Sequence, residues 1–103
     1  MNERMCARTR RKILEGMILD DNPQAMLMDG YDGAIIGTAS RLSKPTLVAY
    51  DSSRILSILR RRGMSHEEAV EWFEFNIAGA WVGENTPVLI RRVEDSRELA
   101  ETE

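Results

Sequence analysis

"AIIGTASRLSKPTLVAY", residues 34 to 50, has two readings, and the fold class turns on which of them holds. Ile35, Ile36, Ala39 and Leu42 fit one face of a helix over residues 32 to 42. The same stretch also divides into two β-rich runs separated by Leu42-Ser43-Lys44-Pro45, a spacing that suits antiparallel neighbours joined by a short loop. Gly37 and Thr38 weaken the helix and favour the hairpin.

The flanking segments support a mixed architecture. Upstream, Asp29-Gly30-Tyr31-Asp32-Gly33 places two glycines and two aspartates in five residues, a strong turn signal. Downstream, Asp51-Ser52-Ser53 offers side-chain oxygens to the unpaired amides of a helix start. The helix that follows turns Ile55, Leu56, Ile58 and Leu59 inward. It stops at Arg60-Arg61-Arg62-Gly63, where cations complement the helix dipole and glycine allows a left-handed cap. Ser65 to Glu68, "SHEE", is a capping-box pattern that starts another helix. Ala69, Val70, Phe73 and Ile77 form its apolar side, and Glu67, Glu71 and Glu74 follow one another on the other.

At the N-terminus, the spacing predicts a helix from about Glu3 to Leu19, closed by Asp20-Asp21-Asn22-Pro23. Its apolar stripe would carry Met5, Cys6, Ile13, Leu14, Met17 and Ile18, and its wet face Arg4, Arg8, Arg11, Lys12 and Glu15. Residues 24 to 28 read as a short connector or a final apolar turn. Val88 to Arg92 reads as a last strand joining the hairpin. The expectation is an α+β domain in the order α-β-β-α-α-β. It has a small three-stranded antiparallel sheet, with about three helices covering one face.

At 103 residues, 43% hydrophobic and 30% charged, the chain suits one soluble domain with its own core, residues 29 to 92 forming the central block. No apolar run approaches the roughly 20 residues of a membrane span, and no signal-peptide segment follows the early basic residues, so a cytoplasmic location is expected. Net charge is -3, with basic residues gathered in 1 to 12 and acidic ones in 94 to 103, and residues 93 to 103 read as an acidic, flexible tail. A solvated helix face explains the basic cluster more simply than nucleic-acid binding, because no interleaved aromatics accompany it. The single Cys6 excludes an internal disulfide and suits a reducing compartment, and His66 is likewise alone.

Trp72, Phe73, Phe75 and Trp81 are four of the six aromatic residues. They fall beside Asn76, Gly79 and Gly83, in a segment expected to reverse the chain while Trp81 fills the core. The other reading makes this segment a pocket, with Trp81 or Tyr31 stacking a planar ligand and Asn76, Glu84 or Asn85 reading its polar edge. Asp32, Glu71 and Glu74 complete the set of candidate binding residues. No GxGxxG, P-loop, HExxH, CxxC or GxSxG pattern occurs, so no catalytic residue, metal or cofactor is expected. An enzyme would depend on a carboxylate pair such as Asp29 with Asp32, which a turn already explains.

The pieces "DGYDGAIIG" (29 to 37), "VAYD" (48 to 51), "GMSHEEAVEWFEFN" (63 to 76) and "GAWVGENTP" (79 to 87) resemble a small protein type of tailed-bacteriophage genomes. The resemblance spans Asp29 to Pro87 and implies a phage accessory context with no activity or cofactor attached. The expected function is a non-enzymatic protein that binds and modulates a host or phage macromolecule, such as a component of a bacterial defence system. The alternative is a binder of a nucleotide-like or signalling ligand. Six methionines and the apolar stripe of the first helix leave room for a homodimer.

Overall fold

In the structure, a computed structural model that describes residues 5–18 and 20–96, the 34 to 50 stretch is a hairpin. Strand β1 (Ile35–Ala39) pairs antiparallel with β2 (Leu47–Asp51). Ile35 lies opposite Tyr50 and Gly37 opposite Ala49, which leaves Ile36 as the extra residue of a bulge. Gly37 takes φ 152°, a conformation that side chains rarely tolerate, so the glycine that weakens a helix here also builds the bulge.

The remaining elements are α1 (Ala7–Ile18), α2 (Ser52–Arg61), α3 (His66–Phe73) and β3 (Val88–Ile90). Short 3₁₀ turns cover Asp32–Ala34 and Val93–Ser96. The α-β-β-α-α-β order is the expected one. Sheet order is β1-β2-β3, and β3 runs parallel to β2, with Ala49 opposite Val88 and Asp51 opposite Ile90. The sheet is therefore mixed, not antiparallel. The segment between β2 and β3 carries two helices, long enough to bring the chain back to the start of β2, whereas only a tight turn forces antiparallel pairing.

Val48, Ala49, Tyr50 and Asp51 are all buried. Successive strand residues point to opposite faces, so both faces of β2 are covered, in contrast to the expected cover on one face. The core joins Leu14 and Ile18 of α1, Tyr31, Ala34 and Ile35, Val48 and Tyr50, Ile55 and Leu59 of α2, Ala69 and Ile77. The Tyr50 hydroxyl accepts the Met28 backbone N–H at 2.8 Å, so the buried ring also pins the connector.

Local start signals form as expected. Asp51 accepts from the Ser53 amide at 3.0 Å to cap α2. Ser65 and Glu68 exchange the two bonds of a capping box, 3.1 and 2.9 Å, to start α3. The stripe of α1 is narrower than expected: Leu14 and Ile18 are buried, while Cys6, Ile13 and Met17 stay exposed. Glu3, Arg4, Leu19 and most of the acidic tail lie outside the described residues. Arg11 leaves the wet face to pair with Asp32 at 3.1 Å, and Asp29 stands 3.9 Å from the same guanidinium. The two aspartates thus flank an arginine.

One polar knot closes the fold. Buried Asn22 donates to the Thr46 carbonyl and to Asn85 Oδ1, both at 2.9 Å, and accepts from the Gln24 amide. Asn85 in turn accepts from the Met26 amide at 3.2 Å. The end of α1, the start of β2 and the turn before β3 are held together at one point.

Candidate binding surface

Beyond Phe73, α3 widens into a π-helical turn, Glu74–Ala78. The Asn76 side-chain amide donates to the Trp72 carbonyl at 3.1 Å. A Cβ at Gly79 would meet the Glu74 carbonyl oxygen at 3.2 Å, so a larger residue there would press on the turn. π turns recur at functional positions because they displace side chains from the regular helical pattern. Here Ile77 is buried, and Phe75 is left 79% exposed.

The following loop is held by its own hydrogen bonds. Thr86 Oγ1 accepts from the Val82 amide at 2.9 Å and donates to the Gly83 carbonyl at 2.6 Å. The Thr86 amide reaches the same carbonyl, and Gly83 adopts φ 119°. Trp81 stands at the edge of this loop, 74% exposed, with Val82 exposed beside it.

The expectation that Trp81 fills the core is thus corrected. Between Tyr50, Ile55, Leu59 and Ala69 the space is already taken, and the π turn with Gly79 carries the chain outward before Trp81. Of the four clustered aromatics, Phe73 packs against the core, while Trp72, Phe75 and Trp81 face solvent. Helical geometry carried this signal: at about 100° per residue, Phe75 lies opposite the face of Ala69, Val70, Phe73 and Ile77.

Trp81 is the shared wall of two grooves. One, of about 570 Å³, runs along the hairpin loop past Arg41, Lys44, Pro45 and Glu84. The other, of about 360 Å³, lies between Met26, Asn76, Ile77 and Val82. Asn76 also borders a shallower hollow with Met64, Glu71, Trp72 and Phe75. Trp72, Phe75, Trp81 and Val82 therefore follow one another along a strip, with Glu67, Glu71 and Glu74 exposed on α3 and the π turn.

Among the residues singled out from sequence, Glu71, Asn76, Trp81 and Glu84 line this connected surface, and Glu74 is exposed on the π turn that carries it. Tyr31 does not line the grooves beside Trp81: its ring is buried, with the Arg62 guanidinium 4.9 Å from its centroid. Asp32 is engaged by Arg11, and Asn85 by Asn22 and Met26. The set of Tyr31, Trp81 and Asn85 is therefore not assembled as a pocket. Trp72 and Phe75 were missed because aromatic side chains were assigned to the core by type, and Val82 was not singled out.

Cys6 is exposed, its thiol held below the usual value by a hydrogen bond with Thr9. No group of three or more His, Cys, Asp and Glu placed to hold a metal ion occurs among the described residues, and no described helix is long and apolar enough to cross a membrane. The surface offers stacking and apolar contact flanked by carboxylates on one side and Arg41 and Lys44 on the other. No family model matches the chain, and no curated protein or solved structure shows significant similarity to it.

Proposed function

We propose that this protein is a non-enzymatic binding module that docks a partner protein on the strip formed by Trp72, Phe75 and Trp81. The exposure of three large aromatic side chains on a hydrogen-bonded scaffold carries this reading. Exposed aromatic patches of this kind mark interaction sites, and Trp is among the residues that dominate binding energy at interfaces. The neighbouring Glu67, Glu71 and Glu74 favour a partner surface with an apolar pocket edged by Arg or Lys. With the motif resemblance over Asp29 to Pro87, the partner is a host or phage protein in the cytoplasm of an infected cell, and the outcome is its modulation, such as inhibition of a defence system.

The test is capture of partners by tagged wild type, Phe75→Ala and Trp81→Ala from host lysate, with melting temperature measured on each. A partner retained by wild type and lost by both folded variants supports the proposal; equal retention by all three refutes it. The groove of about 360 Å³ between Trp81 and Asn76 favours a second reading, a planar ligand stacked on the indole. Quenching of Trp81 fluorescence by a nucleotide without any protein partner would select it. The expected homodimer would pack through α1 and the residues just before it, where Met5, Ile13 and Met17 stand exposed in a groove bordered by Ile36. Sedimentation of Met17→Glu against wild type tests that contact.

A further inference from the structure

Parallel pairing of β2 and β3 brings their carboxyl ends together, with Asp51 opposite Ile90. Immediately beyond lie the first turn of α2 and Arg91-Arg92. Across parallel strands, this end is where anions commonly bind, because helix N-termini and strand-end side chains converge there. The first turn of α2 is already capped by Asp51, so it does not make a site by itself. The arginines around it do.

Arg92 Nη2 lies 2.7 Å from Asp51 Oδ2, and Arg54 Nε lies 3.7 Å from the same oxygen. Arg10 arrives from α1 and donates Nη1 to the Ile35 carbonyl at 2.7 Å, at the strand position opposite Tyr50. Ile35 pairs with Tyr50, the neighbour of Asp51, so the Arg10 guanidinium reaches the same end of β2; burial, followed by repulsion from Arg54 and Arg92, holds it below its ordinary value. Among the described residues, Asp51 is the one carboxylate ion-paired with any of the three. Among the described residues, three positive groups thus face one negative one, beside the positive end of a helix dipole. The side chains of Arg54 and Arg92 remain 33% and 42% exposed, open to a ligand from solvent.

We infer that Arg10, Arg54 and Arg92 form a binding site for a phosphate dianion, free or as a phosphomonoester, at the carboxyl ends of β2 and β3. Guanidinium forks match phosphate oxygens in geometry as well as charge. The site is separate from the aromatic strip and independent of what that strip binds.

The test is a titration of the full chain with inorganic phosphate, followed by ¹H–¹⁵N NMR, with sodium chloride at matched ionic strength as control. Saturable shifts centred on residues 51 to 54 and 91 to 92 with phosphate alone are expected. Arg54→Gln leaves the short Asp51–Arg92 pair in place and is expected to keep the fold while weakening phosphate binding about tenfold. A parallel titration with adenosine monophosphate separates the sources: tighter binding than phosphate points to a nucleotide, equal binding to the free ion. Equal shifts with chloride, or wild-type affinity in Arg54→Gln, would overturn the site.

Discussion

Asp51 ends β2, caps α2 and holds Arg92 just beyond β3, so its removal should loosen three elements at once. The side chain is 3% exposed, with Oδ1 accepting from the Ser53 amide and Oδ2 facing Arg92 at 2.7 Å. Loss of an N-cap costs about 1 kcal/mol. Breaking a buried ion pair from one side costs about 3 to 5 kcal/mol, but Arg92 can turn to water, so about 2 kcal/mol is the appropriate share. Asp51→Ala should therefore lose about 3 kcal/mol, a large part of the 5 to 15 kcal/mol typical of a domain. Asp51→Asn keeps a capping oxygen and should lose about 2 kcal/mol. Arg92→Gln should lose a similar amount, and the double variant Asp51→Asn with Arg92→Gln less than the sum by about 2 kcal/mol, because both single variants lose the same pair. Urea unfolding followed by far-ultraviolet circular dichroism is the suitable assay, since the exposed Trp81 is a weak reporter of folding. Equal losses for Asp51→Ala and Asp51→Asn would remove the cap from the argument. Strict additivity with Arg92→Gln would remove the ion pair.

Trp81→Ala should lower stability by about 1 kcal/mol, since only a quarter of a ring surface of about 200 Å² is covered, instead of the 3 to 5 kcal/mol of a core tryptophan; urea midpoints decide between them. Asn22→Ala leaves the Thr46 carbonyl and Asn85 Oδ1 without their donor and should cost about 2 to 3 kcal/mol, and protease nicking near residues 83 to 87 should rise with it. Burial holds the Tyr50 hydroxyl above its ordinary value, the Met28 amide pulling the other way. Above pH of about 10 the unfolded chain therefore releases a proton that the folded chain keeps. Stability from this group is fully present below that pH and falls above it, by up to about 1.4 kcal/mol per pH unit, until the folded group ionises. Tyr50→Phe should show a shallower alkaline decline in thermal melts; parallel declines would refute the assignment.

What the sequence by itself determined is local. The caps at Asp51 and Ser65 and the arginine-glycine end of α2 each rest on residues within a few positions of one another, and Gly37 and Thr38 favoured the hairpin between 34 and 51 over the helical reading. Their hydrogen bonds form where the chemistry places them. Among the candidate residues, Asn76, Trp81 and Glu84 were read together from one segment and its turn, and the structure places them along two grooves that share Trp81. Only the tertiary structure decided the direction of β3, the exposure of Trp81, the Asn22–Asn85 bond across 63 positions and the convergence of Arg54 and Arg92 on Asp51. Residue type and periodicity state which side chains prefer burial or a partner. They carry no information on how much core volume other segments have already filled, or on which distant strand end a long helical connection returns to.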